Sequence, residues 1–190
     1  GSATAIDRER RELVLGSGER LAYEHLVLAT GARNRVPAVA GIELGGVFGL
    51  RNLADADGLS QRLGSAKRAV VIGAGFIGLE FAAVAAARGI AVDVLELGTR
   101  PMARALSAVT SQVFDHAHAR WGVRIHYGQS LAAIHGDGGQ VRSVELASGE
   151  VLPADLVVYG IGVLPNAELA AQAQLTVNNG IVVDAHLLTS

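Results

Sequence analysis

Ala69-Val70-Val71-Ile72-Gly73-Ala74-Gly75-Phe76-Ile77-Gly78-Leu79-Glu80 is the stretch that decides how this chain folds. Four apolar residues in a row predict a strand buried on both faces. Three glycines in the spacing G-x-G-x-x-G follow at once. An alanine-rich run over residues 76–88 then predicts a helix, with Gly89 placed to close it. A strand that turns through such glycines into a helix makes a cradle for phosphates. Gly73 permits the tight turn, a side chain at Gly75 would block a diphosphate, and Gly78 lets helix and strand pack closely. The backbone N–H groups at the helix start then face the anion. The alternative is a glycine-rich bend without a ligand. An intact strand before it and a helix after it count against that.

The pattern continues on both sides. Residues 91–96 (AVDVLE) predict a second strand. Ser107 is placed to cap a helix that runs to Trp121 and closes at Gly122. Residues 123–127 predict a third strand. Strand and helix alternating in this way define an α/β fold with a parallel sheet. Upstream, residues 52–63 carry helical spacing, and residues 32–45 look like a connection. Residues 12–15 and 20–22 flank Gly16-Ser17-Gly18 as a hairpin, and residues 25–29 (HLVLA) predict a short strand. Downstream, residues 131–134 and 141–146 with a turn at Ser148-Gly149 predict an antiparallel meander. Residues 155–160 predict a buried strand and residues 166–173 a short helix. Asn179-Gly180 predicts a hairpin turn before a strand at 181–183.

Composition narrows the function. Half of the 190 residues are hydrophobic and 18% are charged, enough for a sizeable core. Sixteen basic and eighteen acidic residues give a net charge of −2, which argues against a nucleic-acid or membrane-surface binder. Aromatic residues, at 4%, are too few for base stacking along a strand. With no cysteine, the chain carries no disulfide, thiol nucleophile or thiolate metal site. Residues 69–87 are apolar enough to mimic a membrane span, but three glycines and Glu80 make them a core strand and helix instead. His116 and His118 are two apart on a helix and do not share a face, so no metal site is expected. All six histidines are expected to be structural or on the surface, and no catalytic side chain is evident.

Two acidic residues extend the cradle. Glu96 ends the second strand, where a carboxylate accepts both hydroxyls of an adenosine ribose and repels a 2′-phosphate. That favours NAD(H) over NADP(H). A solvent-facing strand-end glutamate is the alternative. Arg100 and Arg104 follow, each within reach of the pyrophosphate or adenine side or of solvent. Glu80 is placed on the first turn of the cradle helix. It either complements the helix dipole or, turned away from the phosphates, accepts from a nicotinamide carboxamide.

Four segments carry a family resemblance: LVLATGA from Leu26, VVIGAGFIGLE from Val70, VLELGTRPMAR from Val94 and ADLVVYGIGVLPN from Ala154. Together they resemble the middle of an FAD-dependent pyridine nucleotide-disulfide oxidoreductase, of the ferredoxin, putidaredoxin or rubredoxin reductase group. The resemblance implies a Rossmann-like parallel sheet with helices on both faces, an antiparallel meander as crossover, and partial FAD-domain strands at either side. Residues 1–32 would end a first FAD-domain segment, 33–162 would form the NAD-binding domain, and 163–190 would begin a second FAD-domain segment. It also implies a cofactor-binding set of Gly73, Gly75, Phe76, Ile77, Gly78, Glu80, Glu96 and Arg104. Gly160, Ile161 and Gly162 would line the nicotinamide site, and Ala29, Thr30 and Gly31 would approach FAD. Pro165-Asn166 would fix the returning chain.

The family's N-terminal FAD glycine motif and its later glycine-aspartate segment are missing, so the chain is expected to be truncated at both ends. On that expectation it holds NAD(H) but not FAD, which belongs to the full-length protein, and is inactive alone. The chemistry implied is hydride transfer from NADH to FAD, with electrons passing to a ferredoxin- or rubredoxin-type acceptor. Thioredoxin-reductase-like chemistry is disfavoured, because that type keeps its cysteine pair in the NAD domain. A glutathione-reductase-like enzyme, a flavoprotein of the apoptosis-inducing-factor kind and a free-standing dinucleotide-sensing module stay open. A cytoplasmic location is expected, and a homodimer is open through pairing of the terminal strands.

Overall fold

Val70, Val71, Val157 and Val158 are fully buried, each worth about 1.5–3 kcal/mol relative to exposure. They sit in adjacent parallel strands at the centre of the fold. The computed structural model describes all residues, 1–190. In chain order the elements are β1 (Ala3–Asp7), β2 (Glu12–Leu15), β3 (Arg20–Ala22), β4 (Ala32–Asn34), β5 (Val47–Gly49), α1 (Leu53–Leu63), β6 (Arg68–Ile72), α2 (Phe76–Ala87), β7 (Ala91–Glu96) and α3 (Ala108–Arg120). Then come β8 (Arg124–Tyr127), β9 (Leu131–Asp137), β10 (Gln140–Leu146), β11 (Val151–Pro153), β12 (Leu156–Tyr159), β13 (Val163–Pro165) and α4 (Glu168–Gln172). The chain divides into two compact units, one of residues 34–162, the other of residues 1–33 with 163–190.

The larger unit is built on a parallel sheet of order β5-β12-β6-β7-β8. Alternation sorts its side chains. Ala69, Val71, Val92, Val94, Leu156 and Val158 pack with Leu59, Leu79, Phe81 and Phe114 of the three helices. Val70, Ile72, Leu95 and Val157 pack instead with Ile134, Val144, Leu146 and Leu152 of the antiparallel β9-β10-β11 sheet. The expected α/β sheet and meander are present, with one difference in layering. Helices α1, α2 and α3 share one face, and the meander covers the other. Both faces are buried either way, so the apolar runs alone could not tell a helix from a meander as the cover.

Local chemistry sets the helix ends. Asn52 caps α1 in a reciprocal capping box with Asp55. Ser107 caps α3 by accepting from the Thr110 amide. Buried His118 ties α3 to α2, its ring nitrogens facing the carbonyl oxygens of Phe114 (2.8 Å) and Leu79 (3.0 Å). Trp121 meets that ring edge-on, centroids 5.1 Å apart. Gly78 lies where α2 crosses β6, and a Cβ there would overlap the Gly73 carbonyl oxygen.

One buried charge sits in the sheet. Asp93 on β7 accepts from Arg124 Nε (2.8 Å) and Nη2 (2.7 Å), and its Oδ1 lies 2.7 Å from His126 Nε2. Burial pushes its carboxyl up, but the hydrogen bonds and charges of Arg124 and His126 more than offset this and leave it below the ordinary 3.8.

The smaller unit holds the sheet β1-β2-β3, the strand β13 and the helix α4. The expected hairpin around Gly16-Ser17-Gly18 is there as β2 and β3. The expected strand at 25–29 is not. None of its residues enters a sheet, and Val27 is 84% exposed. Apolar alternation makes a strand only where another strand offers its N–H and C=O groups. The turn at Asn179-Gly180 forms, with positive φ at both residues, but is followed by a single bridge, Val177 to Ile181, not a strand. No helix is long and apolar enough to cross a membrane.

Two outcomes are expected. Gly78→Ala lowers the unfolding free energy by about 1–3 kcal/mol in urea titration, because the added methyl overpacks the α2–β6 contact. Gly64→Ala, where a Cβ meets nothing closer than 3.6 Å, does not. The stability from Asp93 is present above the ordinary carboxyl value of 3.8 and drains away as pH falls through its lower folded value. Urea midpoints at pH 6 and pH 2.5 should therefore fall further apart in the wild type than in Asp93→Asn.

Candidate functional site

The carboxyl ends of β6, β7 and β12 open on a cavity of about 770 Å³ in the larger unit. From β6 the chain proceeds to β7 on one side, while β12 flanks its other side. Such a switch in strand order leaves a crevice at the strand ends, where ligands bind in open α/β sheets.

The glycine turn forms the floor. Gly73 has φ +100, and a Cβ there would lie 2.8 Å from the Gly160 carbonyl oxygen, so both conformation and space demand glycine. Its N–H donates to the Leu95 carbonyl at 2.8 Å. Ala74 is fully buried and held at both ends. Its N–H donates to Glu96 Oε2 at 2.8 Å, and its carbonyl accepts from the Met102 N–H at 2.9 Å.

Gly75 differs from both other glycines of the motif. Its φ of −84 and ψ of −173 suit any residue. A Cβ there would meet only the Gly160 carbonyl oxygen, at an ordinary 3.9 Å. Neither backbone nor packing requires glycine at this point, and the residue lines the cavity. Helix α2 starts next, with no side-chain cap at Gly75 and no acidic residue in its first turn. Its positive end therefore faces the cavity with no carboxylate of the helix's own first turn to offset it.

Glu96, at the tip of β7, lines the same cavity. Its Oε1 accepts from the Gly98 N–H at 2.7 Å while Oε2 holds Ala74. The two arginines that follow are divided. Arg100 donates from Nη1 to the Leu106 carbonyl (2.8 Å) and Ser111 Oγ (2.6 Å) and from Nη2 to the Ala103 carbonyl (2.9 Å), so it braces the loop. Arg104 is exposed and lines the cavity. Phe76, Gly160, Ile161 and Gly162 line it as well.

Other predicted positions lie apart from this cavity. Gly78 stands behind the turn as packing. Ile77 is exposed outside the lining. Glu80, just past the first turn of α2, borders a smaller cleft of about 320 Å³ between α2 and α3, whose lining includes Phe76, Met102, His118 and Trp121. Ala29, Thr30 and Gly31 belong to the smaller unit. There the Thr30 hydroxyl donates to the Asn166 carbonyl, and Asn166 donates from Nδ2 to the Thr30 carbonyl (2.9 Å) and from its backbone to the Gly31 carbonyl (3.0 Å). Asn166 thus fastens the returning chain, as its place after Pro165 suggested.

Sequence reasoning missed Met102, whose backbone is left-handed at φ +52 and whose N–H supports the turn. Nothing in its residue type signals that. It also missed Gln129 and Ser130, which follow β8 and line the cavity. Their place at a strand's carboxyl end was the available clue. The groups of the larger unit that lie outside the cavity have structural duties. Burial and the Asp115 carboxylate, which accepts from the Tyr127 hydroxyl at 2.6 Å, push that phenol up.

A switched parallel sheet with a glycine turn and a strand-end carboxylate on one cavity defines a dinucleotide-binding fold of the Rossmann type. The chain belongs to the pyridine nucleotide-disulphide oxidoreductase family, whose pattern matches residues 1–190. It is 48% identical to rhodocoxin reductase of Rhodococcus erythropolis over 97% of its own length and 43% of that protein's. It is 41% identical to putidaredoxin reductase of Pseudomonas putida, over 98% and 46%. The crystal structure of a ferredoxin reductase from Rhodopseudomonas palustris superposes with a TM-score of 0.96 at 50% identity, covering 98% of this chain and 46% of that one. The chain thus spans less than half the length of these relatives.

The division between the arginines is open to measurement. Arg100→Ala should cost about 1.5–3 kcal/mol in urea unfolding, the range for hydrogen bonds to a charged group. Arg104→Ala should stay within about 0.5 kcal/mol of wild type.

Proposed function

We propose that this chain is the NAD(H)-binding part of a flavoprotein reductase that takes hydride from NADH. Gly75 carries the reading. It is a glycine that neither the turn nor the packing needs, at the mouth of a helix with no cap, and the space its missing side chain leaves is where a diphosphate would sit. Glu96 would accept the adenosine-ribose hydroxyls and repel a 2′-phosphate, which selects NADH over NADPH. Arg104 would offer its charge to the phosphates. Gly160, Ile161 and Gly162 would let the nicotinamide end approach the backbone closely.

In the whole protein, the segments 1–32 and 163–190 would belong to an FAD-binding domain around the NAD-binding domain 33–162. Ala29, Thr30 and Gly31 would then face the flavin. The two cofactors supply hydride transfer from nicotinamide C4 to flavin N5, and the protein supplies position and charge. The reductases it resembles are named for rhodocoxin, putidaredoxin, ferredoxin or rubredoxin, which supports a small electron-carrier protein as acceptor.

Calorimetry tests the reading. NADH should bind the chain more tightly than NADPH, and the reverse order overturns the role given to Glu96. Gly75→Ala should keep the urea unfolding free energy within about 1 kcal/mol, the scale of a lost N-cap preference. The same change should weaken NADH by about tenfold or more, the equivalent of at least 1.4 kcal/mol. Unchanged NADH affinity in Gly75→Ala would remove the diphosphate from this turn.

A further inference from the structure

We infer that Glu96 is also the positioning residue of the cradle, holding the glycine turn in its receptive shape before any nucleotide arrives. The inference rests on the dinucleotide reading above and deepens it. The geometry is specific. One carboxylate joins two loops, accepting from Ala74 in the turn after β6 at 2.8 Å and from Gly98 in the turn after β7 at 2.7 Å. The bond from Glu96 fixes the plane of the Gly73–Ala74 peptide, on the approach to Gly75. The other side of Ala74 is held by Met102. The peptides on either side of Ala74 therefore lean on the end of β7 and the segment that follows it.

A carboxylate has about four lone-pair sites. Two are filled here by backbone amides, and the remaining two are those a ribose diol would use. The sugar grip and the turn brace are thus two loads on one side chain. Glutamine offers one acceptor oxygen and arginine none. A substitution meant to welcome a 2′-phosphate therefore removes part of the brace (glutamine) or all of it (arginine) along with the repulsion, and affinity for the diphosphate falls with it. Specificity at this position cannot be exchanged independently of the cradle.

Two readouts on this chain separate the brace from the grip. The first is calorimetry with NADH and with an NADH analogue carrying 2′,3′-dideoxyadenosine, which keeps the diphosphate but offers Glu96 no hydroxyl. Glu96→Gln should weaken the analogue by about tenfold, the scale of one charge-assisted hydrogen bond. Equal affinity of the analogue for both proteins overturns the inference, since Glu96 would then act through the sugar alone. The second is amide hydrogen exchange without ligand. Glutamine keeps one acceptor oxygen, so at least one of the Ala74 and Gly98 amides should exchange about tenfold faster in Glu96→Gln, measured against the Val71 amide of the same sample. Unchanged exchange overturns the inference whatever the ligands do. Glu96→Asp, which keeps both acceptor oxygens on a shorter stem, should lie between the two and serves if the glutamine variant does not fold. If wild type binds neither nucleotide, the dinucleotide reading fails, while exchange still decides whether the brace exists.

Discussion

The two peptide groups that meet at Ala74 are the constraint around which the larger unit is arranged. A turn whose backbone lines an open cavity is not filled by its own side chains. Its polar groups have to be anchored from behind instead. Here the N–H goes to Glu96, the carbonyl to Met102, and the neighbouring Gly73 N–H to Leu95. All three anchors lie on β7 or just beyond it. The parallel pairing of β6 with β7, in register from Arg68 to Ile72, is what brings them within reach. The depth at which α2 rests on the sheet follows from the same place, because Gly78 must pass the Gly73 carbonyl at the closest approach in the turn.

The sheet beneath is buried on both faces at its centre, which explains why β6, β7 and β12 are largely apolar runs. Asp93 is the buried charge among them. It points to the meander side with Leu95, and it survives there because Arg124 and His126 on the adjacent strand satisfy its oxygens. A buried carboxylate is tolerable where such partners are built into the next strand and costly without them.

Much of this was legible in the residues. The core strands, the three longer helices and the cap at Ser107 follow from periodicity and capping chemistry, and α2 and β7 end within a residue or so of where the pattern puts them. The glycine turn and the place of Glu96 were legible for a physical reason: Gly73 and Gly78 answer steric demands of the turn and the helix contact, and the spacing to the carboxylate matches one helix and one strand. What stayed hidden depends on partners distant in sequence. Strand β5 is three residues among glycines, too short for a period to show, and exists because β12 offers it an edge. The segment HLVLA has the apolar run of a strand and pairs with none. Met102 enters the site through a backbone angle that no residue preference announces, and the meander's claim on one face of the sheet is invisible in strands buried on both.

The edge-on packing of Trp121 against His118 gives the molecule a property of a different kind. It is the only indole in the chain, and it stands on the rim of the cleft that shares Phe76 and Met102 with the glycine-lined cavity. Those two side chains form a common wall. Emission from this single fluorophore is therefore an intrinsic gauge of how α2 and α3 settle against each other, readable without a dye and without a second tryptophan to confound it.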